Sequence, residues 1–182
     1  MKIRENTQCA TPRVTGMSTG ARHRPEAGKS IVQRHIEEVL NGTNLDACDE
    51  LFAEDYVEHA HAPFGTDPPG LVHGPTSARE TARWLREQFP DFEVTIRAIV
   101  ADDDLVVVRV LSQGTNLGAL GGVAPPTRRR FSAEQSHWYR VQDGRRCEHW
   151  ATRDDLTAML QRGGGERPGP PNRSPAAAPR SR

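Results

Sequence analysis

The sequence predicts an α+β fold in which N-terminal helices pack on one curved, mainly antiparallel sheet and enclose a cavity. Apolar residues recur at helical spacing as far as Pro90 and at a spacing of two from Phe92 onward. Reversals at Ala101–Asp104 and Gln142–Gly144 then fold the second half into successive hairpins. A curled sheet of this kind leaves a cone-shaped space against its helices, a natural place for a small molecule.

The first helix is expected over Ser30–Asn41, where Ile31, Val32, Ile36, Val39 and Leu40 form one stripe, Ser30 serves as N-cap and Gly42 closes the end. Asn44 can cap a second, short helix carrying Leu45, Cys48, Leu51 and Phe52. Tyr56 to His61 reads as a short strand or extended segment and runs into the Pro/Gly-rich loop Ala62–His73. Pro75 and Thr76 open a third helix with Ala78, Ala82, Leu85 and Phe89 buried, and Pro90 stops it. Phe92, Val94 and Ile96 then begin a strand, Leu105–Leu111 returns, and the loop Gly114–Pro126 leads to a hairpin whose arms are FSAEQSHWYRV and RRCEHWATR. A last short helix carries Leu156, Met159 and Leu160, with Asp154 as N-cap.

These patterns are confined to residues 30–161, about 130 residues and the size of one domain. Residues 1–29 hold few apolar side chains and no period, and residues 162–182 are dominated by Gly, Pro, Ala and Arg, so both ends are expected to be disordered tails. Lys plus Arg and Asp plus Glu each number 24, a balance that argues against nucleic acid, and Arg128–Arg130 reads as a solvated loop. Cys9, Cys48 and Cys147 form no paired motif, which fits a reducing compartment. No run is long and apolar enough for a membrane span or a signal segment, so the expected location is the cytoplasm, with no membrane partner.

Phe131–Gln161 carries the richest chemistry. Gln135, His137 and Tyr139 alternate on one arm of the hairpin, and Cys147, His149 and Ala151 alternate on the other. Side chains two apart share a sheet face, so Gln135, His137 and His149 can project into one concave space. A neutral imidazole at His137 suits proton transfer near pH 7; the bland alternative is a core histidine satisfied by Gln135. His149 either supplies a second proton-transfer group or packs with Trp150. Asp154 and Asp155 are the nearest carboxylates, Asp154 being either a helix cap or a catalytic group at the cavity mouth. His59 and His61 lie beside Glu58, yet no third ligand follows at metal-site spacing, so His59 is expected to touch substrate at the entrance and no metal is expected. Tyr56, Phe64 and Trp84 line the cavity or belong to the core.

Four blocks in succession carry a family resemblance: IVQRHIEEVLNGTNLDACDELFAEDYVEHAH, GPTSARETARWLREQFPDFEVTIRAIVADDDLVVVR, GTNLGALGGVAPPTRR and YRVQDGRRCEHWATRDDLTAMLQ. Together they resemble the SnoaL-like polyketide cyclases of the NTF2-like superfamily, over nearly all of the foldable part. The resemblance implies an α+β cone and a cofactor-free enzyme that closes a polyketide ring by intramolecular aldol condensation. Relatives in hydroxylation or epoxide opening, and a cone that binds a small molecule without chemistry, are the alternatives. The resemblance also implies a Gln-x-His pair, matched by Gln135 and His137, and an acid/base aspartate directly after the EHW-like motif, where this chain has Ala151. Asn116 stands where many relatives have histidine in the G-T-H block, and it is a candidate substrate contact. A homodimer or homotetramer is expected as well, because Leu105, Val107 and Leu111 make the second face of their strand apolar and in need of cover.

Overall fold

A computed structural model of the chain describes residues 23–60, 74–122 and 125–163. Among these residues four α-helices, α1 (His23–Arg34), α2 (Ala47–Leu51), α3 (Pro75–Gln88) and α4 (Asp155–Gln161), accompany five strands, β1 (Phe52–Glu58), β2 (Glu93–Asp102), β3 (Leu105–Thr115), β4 (Arg130–Gln142) and β5 (Arg145–Arg153). They form one curved, unclosed sheet in the order β1-β5-β4-β3-β2, antiparallel except where β1 runs parallel to β5. The α+β expectation is met, and the extended segment expected from Tyr56 is a strand that starts earlier: Phe52, read as helical, opens β1 at the sheet edge.

The hairpin between β4 and β5 follows from its turn. Asp143 and Gly144 both take positive φ, 49° and 74°, the geometry that matches the twist of paired strands and that Asp-Gly tolerates. Past the turn the register slips: Arg140 faces Glu148 while Val141 faces Arg146, leaving Cys147 unopposed. This bulge breaks the simple alternation expected for the return arm and moves Arg146 onto the same face as Tyr139, whose ring its guanidinium covers at 4.1 Å.

Val106, Val108 and Val110 of β3 are 0–1 % exposed and meet Val32, Ile36, Trp84, Leu85 and Phe89 from the helices. Each such side chain contributes about 1.5–3 kcal/mol by leaving water. A second cluster under β1 joins Val39, Ala47, Cys48, Leu51, Phe52, Tyr56, Ala78 and Ala82. The first helix begins at His23, before the expected N-cap Ser30, and Gly28 sits so close to Val106 that an added Cβ would lie 3.0 Å from it. From His35 to Asn41 it widens into a π-helical stretch, which turns His35, Ile36 and Val39 inward before Gly42 closes the end as expected. Asn41 then pins this end to the edge strand, accepting from Val94 N at 2.8 Å and donating to Val94 O at 2.9 Å.

Asp46, rather than Asn44, precedes α2, and Asn44 donates to Glu38 instead. Asp154 caps α4 as the sequence predicts, accepting from Thr157 N at 3.0 Å. Gly118 has a steric cause: an added Cβ would fall 2.6 Å from Gln88 Cα, because the segment after β3 lies directly on the end of α3. Among the described residues no helix is long and apolar enough to cross a membrane. Both expected tails, apart from residues 23–29, 162 and 163, lie outside the described residues, as do His61 and Phe64.

Candidate active site

The inner face of β4 and β5 brings Gln135, His137 and His149 together, as their alternation predicts. His137 Nδ1 lies 2.9 Å from His149 Nε2, and His137 Nε2 lies 2.9 Å from Gln135 Oε1. The group that completes the arrangement comes from the sheet edge. Parallel pairing sets Glu58 opposite His149, and His149 Nδ1 meets both carboxylate oxygens, at 2.8 and 2.7 Å. Glu58 also accepts from Tyr56 Oη and from the Ala60 backbone N–H, each at 2.8 Å. Ser112 Oγ donates to Gln135 at 3.1 Å and closes the other end.

The proton positions follow from this order. An ionised Glu58 requires a proton on His149 Nδ1, so a neutral His149 turns its Nε2 lone pair toward His137. His137 then donates from Nδ1 and keeps its own lone pair on Nε2. Gln135 serves either protonation state of that nitrogen: its oxygen accepts from a protonated Nε2, and the amide turned by 180° donates to the bare one. Ser112 can follow, since a hydroxyl both donates and accepts.

Electrostatics favour the neutral rings. Burial pushes His137 well below the ordinary imidazole range, helped by His149 and by the positive charges of Arg153 and Arg146. His149 is lowered mainly by burial, against the opposing pull of Glu58. Burial tends to raise the Glu58 carboxyl, but the hydrogen bonds from His149, Ala60 and Tyr56 outweigh it and hold Glu58 below the usual range. Burial also pushes Tyr139 up to about 12, and its ring stacks on His149 at 4.8 Å and on His137 at 6.1 Å. The chain can therefore accept a proton at His137 Nε2 and spread the resulting charge back toward Glu58. His137 itself is only partly buried, whereas His149 is 9 % exposed, so His137 is the more accessible of the two rings.

The other candidates fall in other places. His59 lies on the outer face, where its Nε2 meets Glu148 at 2.9 Å and its ring stacks on Trp150 at 4.7 Å. Asp154 is engaged in its helix cap. Trp84 belongs to the main core and Tyr56 to the second cluster, with its hydroxyl on Glu58. Asn116 is fully buried and ties its own loop, donating to Gly118 O at 2.8 Å and accepting from Thr127 Oγ1 at 3.2 Å. Ala151 lies directly across from His137. Among the described residues no three His, Cys, Asp or Glu side chains gather as a metal ion would require.

Sequence reasoning missed Glu58 as a member of the site and read it only as a neighbour of two histidines. The available signal was its parity with Tyr56 on one short strand, but the partner of that strand was hidden.

The SnoaL-like polyketide cyclase family matches residues 30–162. Over 112 residues the chain is 31% identical to nogalonic acid methyl ester cyclase of Streptomyces nogalater, covering 60% of this chain and 78% of that enzyme. Among solved structures it is similar to wild-type IdmH of Streptomyces antibioticus, with a TM-score of 0.63 and 31% identity over 75% of this chain and 98% of the other. TsrD of Streptomyces laurentii shares the fold, at a TM-score of 0.65 and 22% identity over 76% of this chain and 96% of the other. Fold, matched span and relatives agree, and the chain belongs to the SnoaL-like polyketide cyclase family.

Proposed function

We propose that the protein closes a ring of a polyketide-type substrate by intramolecular aldol chemistry, with His137 as the acid/base. One observation carries the reading: the unbroken chain Glu58–His149–His137, ending in the less buried of the two rings. His137 Nε2 removes a proton from carbon between two carbonyls, once the Gln135 amide turns aside to donate to a substrate carbonyl. The enolate attacks a second carbonyl carbon of the same molecule. A C–C bond forms, and the resulting alkoxide takes the proton back from His137, so the step balances without oxidant or reductant. Glu58 supplies the carboxylate that the family resemblance puts at position 151, reaching the relay through His149 rather than directly. It is a positioning residue. His137→Ala is expected to lower turnover of a cyclisable polyketide by roughly 10²- to 10⁴-fold, the usual worth of one placed proton-transfer group. Unchanged turnover would make the histidine structural and leave the cone a binding module.

We further propose a homo-oligomer joined through the outer sheet face. Val100, Val107, Trp138 and Trp150 stand in one register row across four strands, with Val100 62% and Trp138 43% exposed. Light scattering at micromolar concentration should give a multiple of the chain mass, and a monomer mass would refute it.

A further inference from the structure

We propose that Arg146 and His35 form a buried oxyanion subsite, separate from the imidazole relay, that takes a carboxylate of the substrate. Arg146 is 2% exposed, His35 7%, and three of their nitrogens, Arg146 Nε, Arg146 Nη1 and His35 Nδ1, are buried without a hydrogen-bond partner. Native proteins pair nearly all such atoms, so the two guanidinium N–H groups call for a missing acceptor, and His35 Nδ1 joins them in the tautomer that carries its proton there. Both side chains contact the Phe52 ring, the imidazole perpendicular to it at 5.2 Å and the guanidinium over its face at 4.3 Å.

Aromatic rings cover the guanidinium, since Tyr139 lies 4.1 Å away and Tyr56 5.6 Å. Contacts with ring faces leave the in-plane N–H donors free, and those donors suit a planar carboxylate. The carboxylate on this face does not fill the role. Glu58 already accepts from His149, Tyr56 and Ala60. Two buried guanidinium N–H groups without an acceptor, Nε and Nη1, are unfavourable, and an arriving anion relieves that cost. Burial and the nearby Arg146 charge hold His35 well below the ordinary imidazole range, so it offers a neutral N–H instead of a second charge. One fixed charge plus one neutral donor matches a singly charged carboxylate better than a phosphate dianion.

Tyr139 touches both systems: the guanidinium covers its ring, and His149 stacks on it at 4.8 Å. A substrate anchored by its carboxylate at Arg146 would therefore extend past Tyr139 toward His137. This placement rests on the proposed cyclase reading, whereas the anion subsite itself can be tested without turnover.

The test is thermal melting of the full chain in benzoate, with its uncharged isostere benzamide as control, at constant ionic strength. Benzoate should raise Tm saturably in the parent protein and in His137→Ala, and benzamide should not. In Arg146→Met the benzoate response should vanish, and in Arg146→Lys, which keeps the charge and loses the planar fork, the midpoint should rise about tenfold. His35→Phe should weaken the midpoint several-fold. The subsite is overturned if benzoate does no more than benzamide in the parent protein, if chloride alone saturates the effect, or if Arg146→Met responds as the parent does. Should Arg146→Met fail to fold, the parent titration and Arg146→Lys still decide, because an unchanged midpoint in the lysine variant excludes the fork. Loss of turnover in His137→Ala with its benzoate response intact separates the two readings.

Discussion

Glu58 with His149, and Glu148 with His59, are one chemical pair made twice at the junction of β1 and β5, once on each face of the sheet. The contacts are nearly equal, 2.7 Å inside and 2.9 Å outside. Their surroundings differ. Inside, the histidine side chain is 11% exposed, and hydrogen bonds continue from it to His137, Gln135 and Ser112. Outside, His59 is 37% exposed, lies flat on Trp150, and shares Glu148 with Arg140 at 3.0 Å. An exposed pair is screened by water and salt and is worth about 0–1 kcal/mol, whereas burial of the His149 ring strengthens the interactions that this ring makes. What separates the two pairs is the burial of the histidine and the continuation of the hydrogen-bonded chain, since the outer carboxylate, at 20% against 28%, is the less exposed of the two.

The comparison breaks most directly at Glu58. Glu58→Gln removes a charge-assisted hydrogen bond worth about 1.5–3 kcal/mol, so turnover should fall by roughly 10- to 100-fold. Because Glu58 is the group that raises the affinity of His149 for a proton, its loss should also move the acid limb of kcat/KM to lower pH. A purely structural Glu58 would lower stability without moving that limb.

Acid titration of stability sharpens the same contrast. His35, His137 and His149 are each held below their unfolded value near 6.5, so the unfolded chain binds more protons as pH falls through that value. Stability should be full above about pH 7 and decline toward pH 5, and Glu58, also lowered, adds to the loss at more acid pH. Urea midpoints that stay level between pH 7 and pH 5 would show that the inner imidazoles titrate freely.

The smallest effect belongs to the outer pair. His59→Gln should change turnover by less than about twofold and Tm by only a few degrees, as for any surface ion pair. A loss matching that of Glu58→Gln would place the chemistry on the wrong face.

Much of this was legible in the residues. Alternation is a local property of extended backbone, so Gln135, His137 and His149 could be assigned to one face without knowledge of the rest of the sheet. Asp154 as a cap and Asp143-Gly144 as a turn are equally local, because each depends on the conformational preference of a single residue.

Tertiary structure decided what lies between distant segments. Glu58 reaches His149 across 91 positions of sequence because β1 pairs in parallel with β5, and nothing within VEHAH specifies that partner. The same register puts His59 on the face opposite to Glu58, since neighbours on a strand must take opposite faces. Arg146 turns inward through a one-residue slip opposite Arg140 and Val141, which a strict period of two cannot anticipate. Local backbone geometry sets which side chains travel together, and long-range strand pairing sets what they meet.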